Sequence, residues 1–119
     1  MADMVAELLK RNLYEVFGER NAVLRRQRIA ELWTENCTFV DNDGEHSGHD
    51  ALDAAVAALQ EHTPGFVFSE LGTPQAHHGI GRMAWGYGLK GKPPKVTGLD
   101  VIVVRDTLIH SMYTFLDEQ

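Results

Sequence analysis

The chain lacks the features that mark several protein classes. Cys37 is its only cysteine, so no disulfide can form within it and nothing calls for an oxidising compartment. That cysteine opens an apolar run, CTFV, where a small buried hydrophobe is a commoner role than a reactive thiol. No run of about 18 apolar residues is present, so no membrane-spanning helix is expected. No basic-then-apolar leader is visible either, and a cytoplasmic location is the expectation. Positive charge is scarce. The 11 lysines and arginines stand against 17 acids, and a net charge of −6 argues against binding nucleic acid through its phosphates.

What is present fits one domain over residues 1–119. Hydrophobic residues make up 44% and charged residues 24%, enough to build a core and too ordinary for a disordered chain. No repeat, low-complexity tract or linker divides the sequence. Arg20, Arg25, Arg26 and Arg28 crowd one amphipathic stretch, read as a solvated helix face rather than an anion-binding patch.

Periodicity divides the chain in two. Val5, Leu8, Leu9, Asn12, Leu13 and Val16 follow helical spacing and predict a helix over 2–17, with Gly18 ending it. A second helix is expected over 22–34, burying Ile29, Leu32 and Trp33, then a short strand over 37–41. Leu52, Ala55, Val56 and Leu59 stripe a third helix, which Ser47 or His49 would cap and Pro64-Gly65 would stop. Beyond it the pattern is extended, over 66–71, 80–89, 96–104 and 108–115. Glycines inside 80–89 suggest curvature or close backbone approach, and Asp106-Thr107 a tight reversal. Three helices followed by antiparallel strands predict an α+β fold, a curved sheet with helices on one side.

Two acids stand out. Asp100 interrupts the apolar strand GLDVIVV and shares a face with Ile102 and Val104. An acid there must be paired, hydrogen-bonded or neutral, because an isolated buried carboxylate is costly. It is either a core acid bonded to a neighbour or a carboxyl held protonated as a donor. Asp41 ends the strand in FVDNDGEHSGHD, as a turn acid or as a general base at a pocket mouth. An exposed acid and a desolvated acid have pKa values pushed apart, which suits base and acid roles. The same segment carries His46 and His49, three apart. Zinc needs a second, distant ligand pair, and His77-His78 reads as a turn, so no metal site is expected.

The segment FVDNDGEHSG before a helix, the tail TGLDVIVVRDTLIHSMYTF and the order of elements resemble the SnoaL-like branch of the NTF2-like superfamily. That superfamily includes ketosteroid isomerases, polyketide cyclases and epoxide hydrolases. The resemblance implies a cone, a curved antiparallel sheet wrapped around three N-terminal helices and enclosing a mostly apolar pocket. It implies Asp41 as general base, with Tyr14 and protonated Asp100 as hydrogen-bond donors to an oxyanion, and no cofactor. Met83, Trp85, Tyr87, Met112 and Leu116 would face the pocket, with Trp33 and His110 as further contacts. The implied ligand is a small apolar carbonyl compound. Isomerisation or cyclisation by proton transfer is the first function, a non-catalytic ligand binder or dimeric interaction module of the same fold the second. Epoxide hydrolysis calls for a denser polar network than these residues provide. Leu99, Val101, Val103, Tyr113 and Phe115 form a second apolar set, predicted to pair two copies in a homodimer through the outer sheet face.

Overall fold

The computed structural model describes residues 2–117. The first helix, α1 (Ala2–Arg11), carries Asp3 in its first turn and Lys10 and Arg11 in its last, each sign opposing the adjacent end of the helix dipole. It continues as a π-helical segment over Asn12–Phe17, closed by the Gly18 amide donating to the Leu13 carbonyl at 2.9 Å, five residues back. Helix α2 (Ala22–Leu32) begins at Asn21, whose side chain accepts from the Leu24 amide at 2.9 Å. The expected end at Thr34 is corrected to Leu32, because Trp33 is already extended and opens strand β1 (Trp33–Asp41).

A short hairpin not anticipated from the sequence follows. Strand β2 (Gly44–Ser47) turns back on β1, pairing Phe39 with His46 and Asp41 with Gly44. Helix α3 (Gly48–His62) starts at Ser47, which makes no side-chain cap bond. His49 instead points its Nε2 at the Trp33 and Thr34 carbonyls, at 3.2 and 2.9 Å. The remaining strands are β3 (Phe66–Glu70), β4 (Gln75–His77), β5 (Ile80–Leu89), β6 (Val96–Arg105) and β7 (Leu108–Leu116). Asp106 and Thr107 both take left-handed φ values, 51° and 68°, in the reversal between β6 and β7.

The seven strands form one open, curved sheet in the order β2-β1-β7-β6-β5-β3, with β4 also on β5. All pairs are antiparallel except β1 with β7, so the first strand after the helices lies beside the last strand of the chain. That crossover brings the β1 end and the β6–β7 pair together. Helix α1 lies on β5 at Gly81, where an added methyl would stand 2.6 Å from Val5 Cγ1. The glycines of β5 thus serve close approach.

The arginine-rich stretch is a solvated face at Arg20 and Arg26, both exposed, but not at Arg25. Arg25 is buried, and it donates to Asp53 at 2.6 Å, to Gln60 Oε1 at 2.9 Å and to the Glu19 carbonyl at 3.1 Å. Arg20 ties the Gln60, Thr63 and Phe66 carbonyls, from the end of α3 to the start of β3. Arg26 pairs with Asp50, and Arg28 with Glu15 and Glu31. These cations are held by partners within the fold. No described helix is long and apolar enough to cross a membrane.

Candidate functional site

Between α3, the π-helical segment and the concave face of the sheet lies a cavity of about 490 Å³. Leu13, Phe17, Phe39, Ala55, Leu59, Phe68 and Val96 supply apolar wall, and Asp41 and Asp100 both line it. The sequence separates these two acids widely. The parallel placing of β1 beside β7, with β6 next in order, brings them to one space.

Each carboxylate has one oxygen tied down. Asp41 sits at the β1–β2 turn, where its Oδ1 accepts from the Asp43 and Gly44 amides at 3.0 and 3.2 Å, an Asx turn. His46 Nε2 lies 3.4 Å from the same oxygen, and its ring stacks on Phe39 with centroids 5.4 Å apart. Asp100 is 4% exposed. Its Oδ1 accepts from Trp85 Nε1 at 2.9 Å and from Thr114 Oγ1 at 2.8 Å. Its Oδ2 has no partner among the described residues and is not sealed off, so it opens to the cavity.

Burial pushes the Asp100 carboxyl up to about 6, and the Thr114 and Trp85 hydrogen bonds work against that rise. Burial disfavours the anion, whereas both donors favour it. The tryptophan reaches Asp100 because Gly98 stands opposite it in the sheet. A methyl on Gly98 would stand 2.5 Å from Trp85 Cζ2, so the indole lies over that glycine and delivers its Nε1 two residues along β6.

The structure gathers some expected site residues and separates others. Trp85, Tyr87 and Leu116 line the cavity with the two aspartates. Tyr14 does not. It is 43% exposed, and its hydroxyl donates to Glu70 at 3.0 Å, off the buried stripe formed by Leu9, Leu13 and Val16. Burial and that carboxylate both push its phenol pKa up. The expectation that Tyr14 faces the oxyanion is therefore corrected.

Trp33, Met83 and Met112 are also corrected, from ligand contacts to core. All three are about 1% exposed and lie outside the cavity wall. Asn12 holds two of them, accepting from Trp33 Nε1 at 2.9 Å and donating to Met112 Sδ at 3.3 Å. His110 meets Thr34 Oγ1 at 3.1 Å and does not reach the cavity. Sequence reasoning missed His46, Phe17, Phe39, Phe68 and Thr114. The alternation of Phe39 with Asp41 and of Thr114 with Leu116 was a usable signal for Phe39 and Thr114. His46 depended on a hairpin that no apolar pattern marks.

Among the described residues no three histidine, cysteine or acidic side chains gather to hold a metal ion. His46 turns to Asp41, and His49 turns away to the β1 backbone.

The family model described as the SnoaL-like domain matches residues 11–112. The chain belongs to the SnoaL-like domain family. The solved structures that the chain resembles agree in fold. A proposed isomerase of the SnoaL-like family from Agrobacterium tumefaciens is 24% identical, with 98% of this chain and 99% of that one covered at a TM-score of 0.90. A proposed SnoaL-like polyketide cyclase from Jannaschia sp. CCS1 is 16% identical over 98% and 87% of the chains, at 0.80. A protein with a ketosteroid isomerase-like fold from Catenulispora acidiphila, solved in complex with trimethylamine, is 16% identical over 92% and 84%, at 0.74. At such identities the likeness is one of fold. No curated protein matches the chain significantly.

Proposed function

We propose that this SnoaL-like protein moves a proton within a small apolar carbonyl compound, by isomerisation or cyclisation and without a cofactor. The observation that carries the reading is the meeting of Asp41 and Asp100 on one largely apolar cavity, each with Oδ1 held and Oδ2 without a hydrogen-bond partner among the described residues. In this reading the Asp41 carboxylate removes a proton from the carbon beside the carbonyl. The electron pair moves to the oxygen, protonated Asp100 donates a hydrogen bond to it, and Asp41 returns the proton to another carbon. An apolar ligand displaces water from the cavity and raises the Asp100 pKa further, in the direction burial already takes it. With Tyr14 on the surface, Asp100 is the remaining donor of the pair implied by resemblance.

The test is conversion of a β,γ-unsaturated ketone, 3-cyclohexen-1-one, to its conjugated isomer. Asp41→Asn is expected to cost about two to four powers of ten in rate. Undiminished conversion in that variant would defeat the assignment of the base.

A second reading, a non-catalytic ligand binder using the same cavity, draws support from the Catenulispora neighbour with its bound trimethylamine. Binding without turnover, unchanged by Asp41→Asn, would favour it.

The outer sheet face supports a homodimer. Leu99 stands opposite Phe115 and Val101 opposite Tyr113, and the two aromatics are 60% and 40% exposed. A monomer by sedimentation at micromolar concentration would contradict this pairing.

A further inference from the structure

The cavity wall is uneven in charge. Asp41, Asp43 and Asp100 line it, and among the described lining residues there is no lysine or arginine. Two histidines, His46 and His62, are the only groups there that can carry positive charge. The chain's arginines do not correct this. Arg20, the one bonded beside the cavity wall at Tyr87 and Thr63, is spent on three backbone carbonyls. A carboxylate or phosphate in this space would face acids on two sides with no cation to pair with, and the net charge of −6 repels it before entry.

The same wall carries a continuous aromatic belt. Phe39 meets Phe17 edge-on at 5.3 Å, Phe17 meets Phe68 at 6.5 Å, and Phe68 meets both Trp85 at 5.5 Å and Tyr87 at 4.0 Å. Asp100 stands at the edge of that belt, tied to the indole at 2.9 Å, nine-tenths buried, with Oδ2 unpartnered and open. A buried carboxylate oxygen among aromatic rings is the chemistry that recognises an organic cation. The rings attract it through their quadrupoles, and the acid neutralises it.

We infer that the cavity takes a ligand bearing a protonated or quaternary amine, with the cation on Asp100 Oδ2 against the Trp85–Phe68 part of the belt. The inference rests on this cavity being the functional site and adds the charge class of what enters. If the substrate of the proton transfer carries its amine there, Asp41 remains the base and Asp100, ionised against the ammonium, takes that pairing in place of the oxyanion-donor role. The negative charge that develops on the substrate is then offset by its own ammonium.

Three molecules of matched shape test it: phenyltrimethylammonium, its neutral carbon isostere tert-butylbenzene, and benzenesulfonate. Each is titrated into the wild-type protein and Asp100→Asn while tryptophan emission is followed. The expected result is that the cation binds wild type at least about tenfold more tightly than the neutral isostere, with no sulfonate binding. In Asp100→Asn that ratio falls to near one. Equal or tighter binding of tert-butylbenzene to wild type overturns the amine assignment and leaves the cavity reading standing, as does a ratio unchanged in the variant. Failure of all three to bind overturns both. The wild-type comparison decides without the variant, so poor folding of Asp100→Asn cannot mask the answer.

Discussion

Trp85 and Asp100 are diagonal neighbours on β5 and β6, and the indole Nε1 donates to Asp100 Oδ1 at 2.9 Å across the glycine that faces the tryptophan. This contact sets the position of the buried acid, and Gly98 makes room for it. Alanine at 98 would press a methyl against the indole at 2.5 Å and against the Phe115 carbonyl oxygen at 2.8 Å. Gly98→Ala is expected to destabilise by about 1–3 kcal/mol, as overpacking does, and to loosen Trp85 from Asp100. Urea unfolding gives the first quantity, and a shift in tryptophan emission reports the second.

Asp100 also makes stability depend on pH in an unusual direction. Its folded pKa of about 6 lies above the value of about 4 for an unfolded aspartate, so the folded state holds the proton more tightly. Its contribution is therefore most favourable below about pH 4 and declines as pH rises to about 6, a loss of roughly 3 kcal/mol that persists above. Asp100→Asn removes the charge and leaves an acceptor for Trp85 and Thr114. The variant is expected to be more stable than wild type at pH 8, with the difference shrinking towards pH 4. Urea midpoints at the two pH values check this, and a variant weaker than wild type at pH 8 would contradict it.

Tyr14→Phe separates the structure from the resemblance. The phenol is exposed and bonded to Glu70, away from the cavity. Ligand binding and any turnover should stay within about twofold of wild type, and stability should fall by no more than about 1 kcal/mol. A loss of several powers of ten in turnover would place Tyr14 back in the chemistry.

Much of this architecture could be read before the structure. The three helices and the long strands follow apolar periodicity; Asp100 stands out because it interrupts an apolar strand, and Asp41 because it ends one. What escaped was held by contacts that carry no periodic signal. Strand β2 is GEHS, without an apolar side chain, and β4 is QAH, so both read as turns. The π-helical stretch from Asn12 to Phe17 was hidden as well, because i, i+4 spacing cannot report an amide bonded five residues back. Met83 and Met112 share strand faces with cavity residues yet end in the core, since Asn12 and the helices fill that end of the cone.

Asn12 offers a structural test independent of function. It is 1% exposed and is the acceptor for the buried Trp33 indole. Asn12→Leu leaves that N–H without a partner and is expected to cost about 1–3 kcal/mol. Thermal or urea unfolding measures it, and a neutral result would mean that the core rearranges to satisfy Trp33 another way.

The central claim is that the cavity shared by Asp41 and Asp100 moves protons on and off carbon. Hydrogen exchange of 3-cyclohexen-1-one in D₂O, followed by proton NMR, measures that step whether or not the double bond migrates. The wild-type protein should speed loss of the proton signal beside the carbonyl, and Asp41→Asn should lose about two to four powers of ten of that acceleration. Exchange by the wild type no faster than in buffer, or as fast in Asp41→Asn as in the wild type, would contradict it.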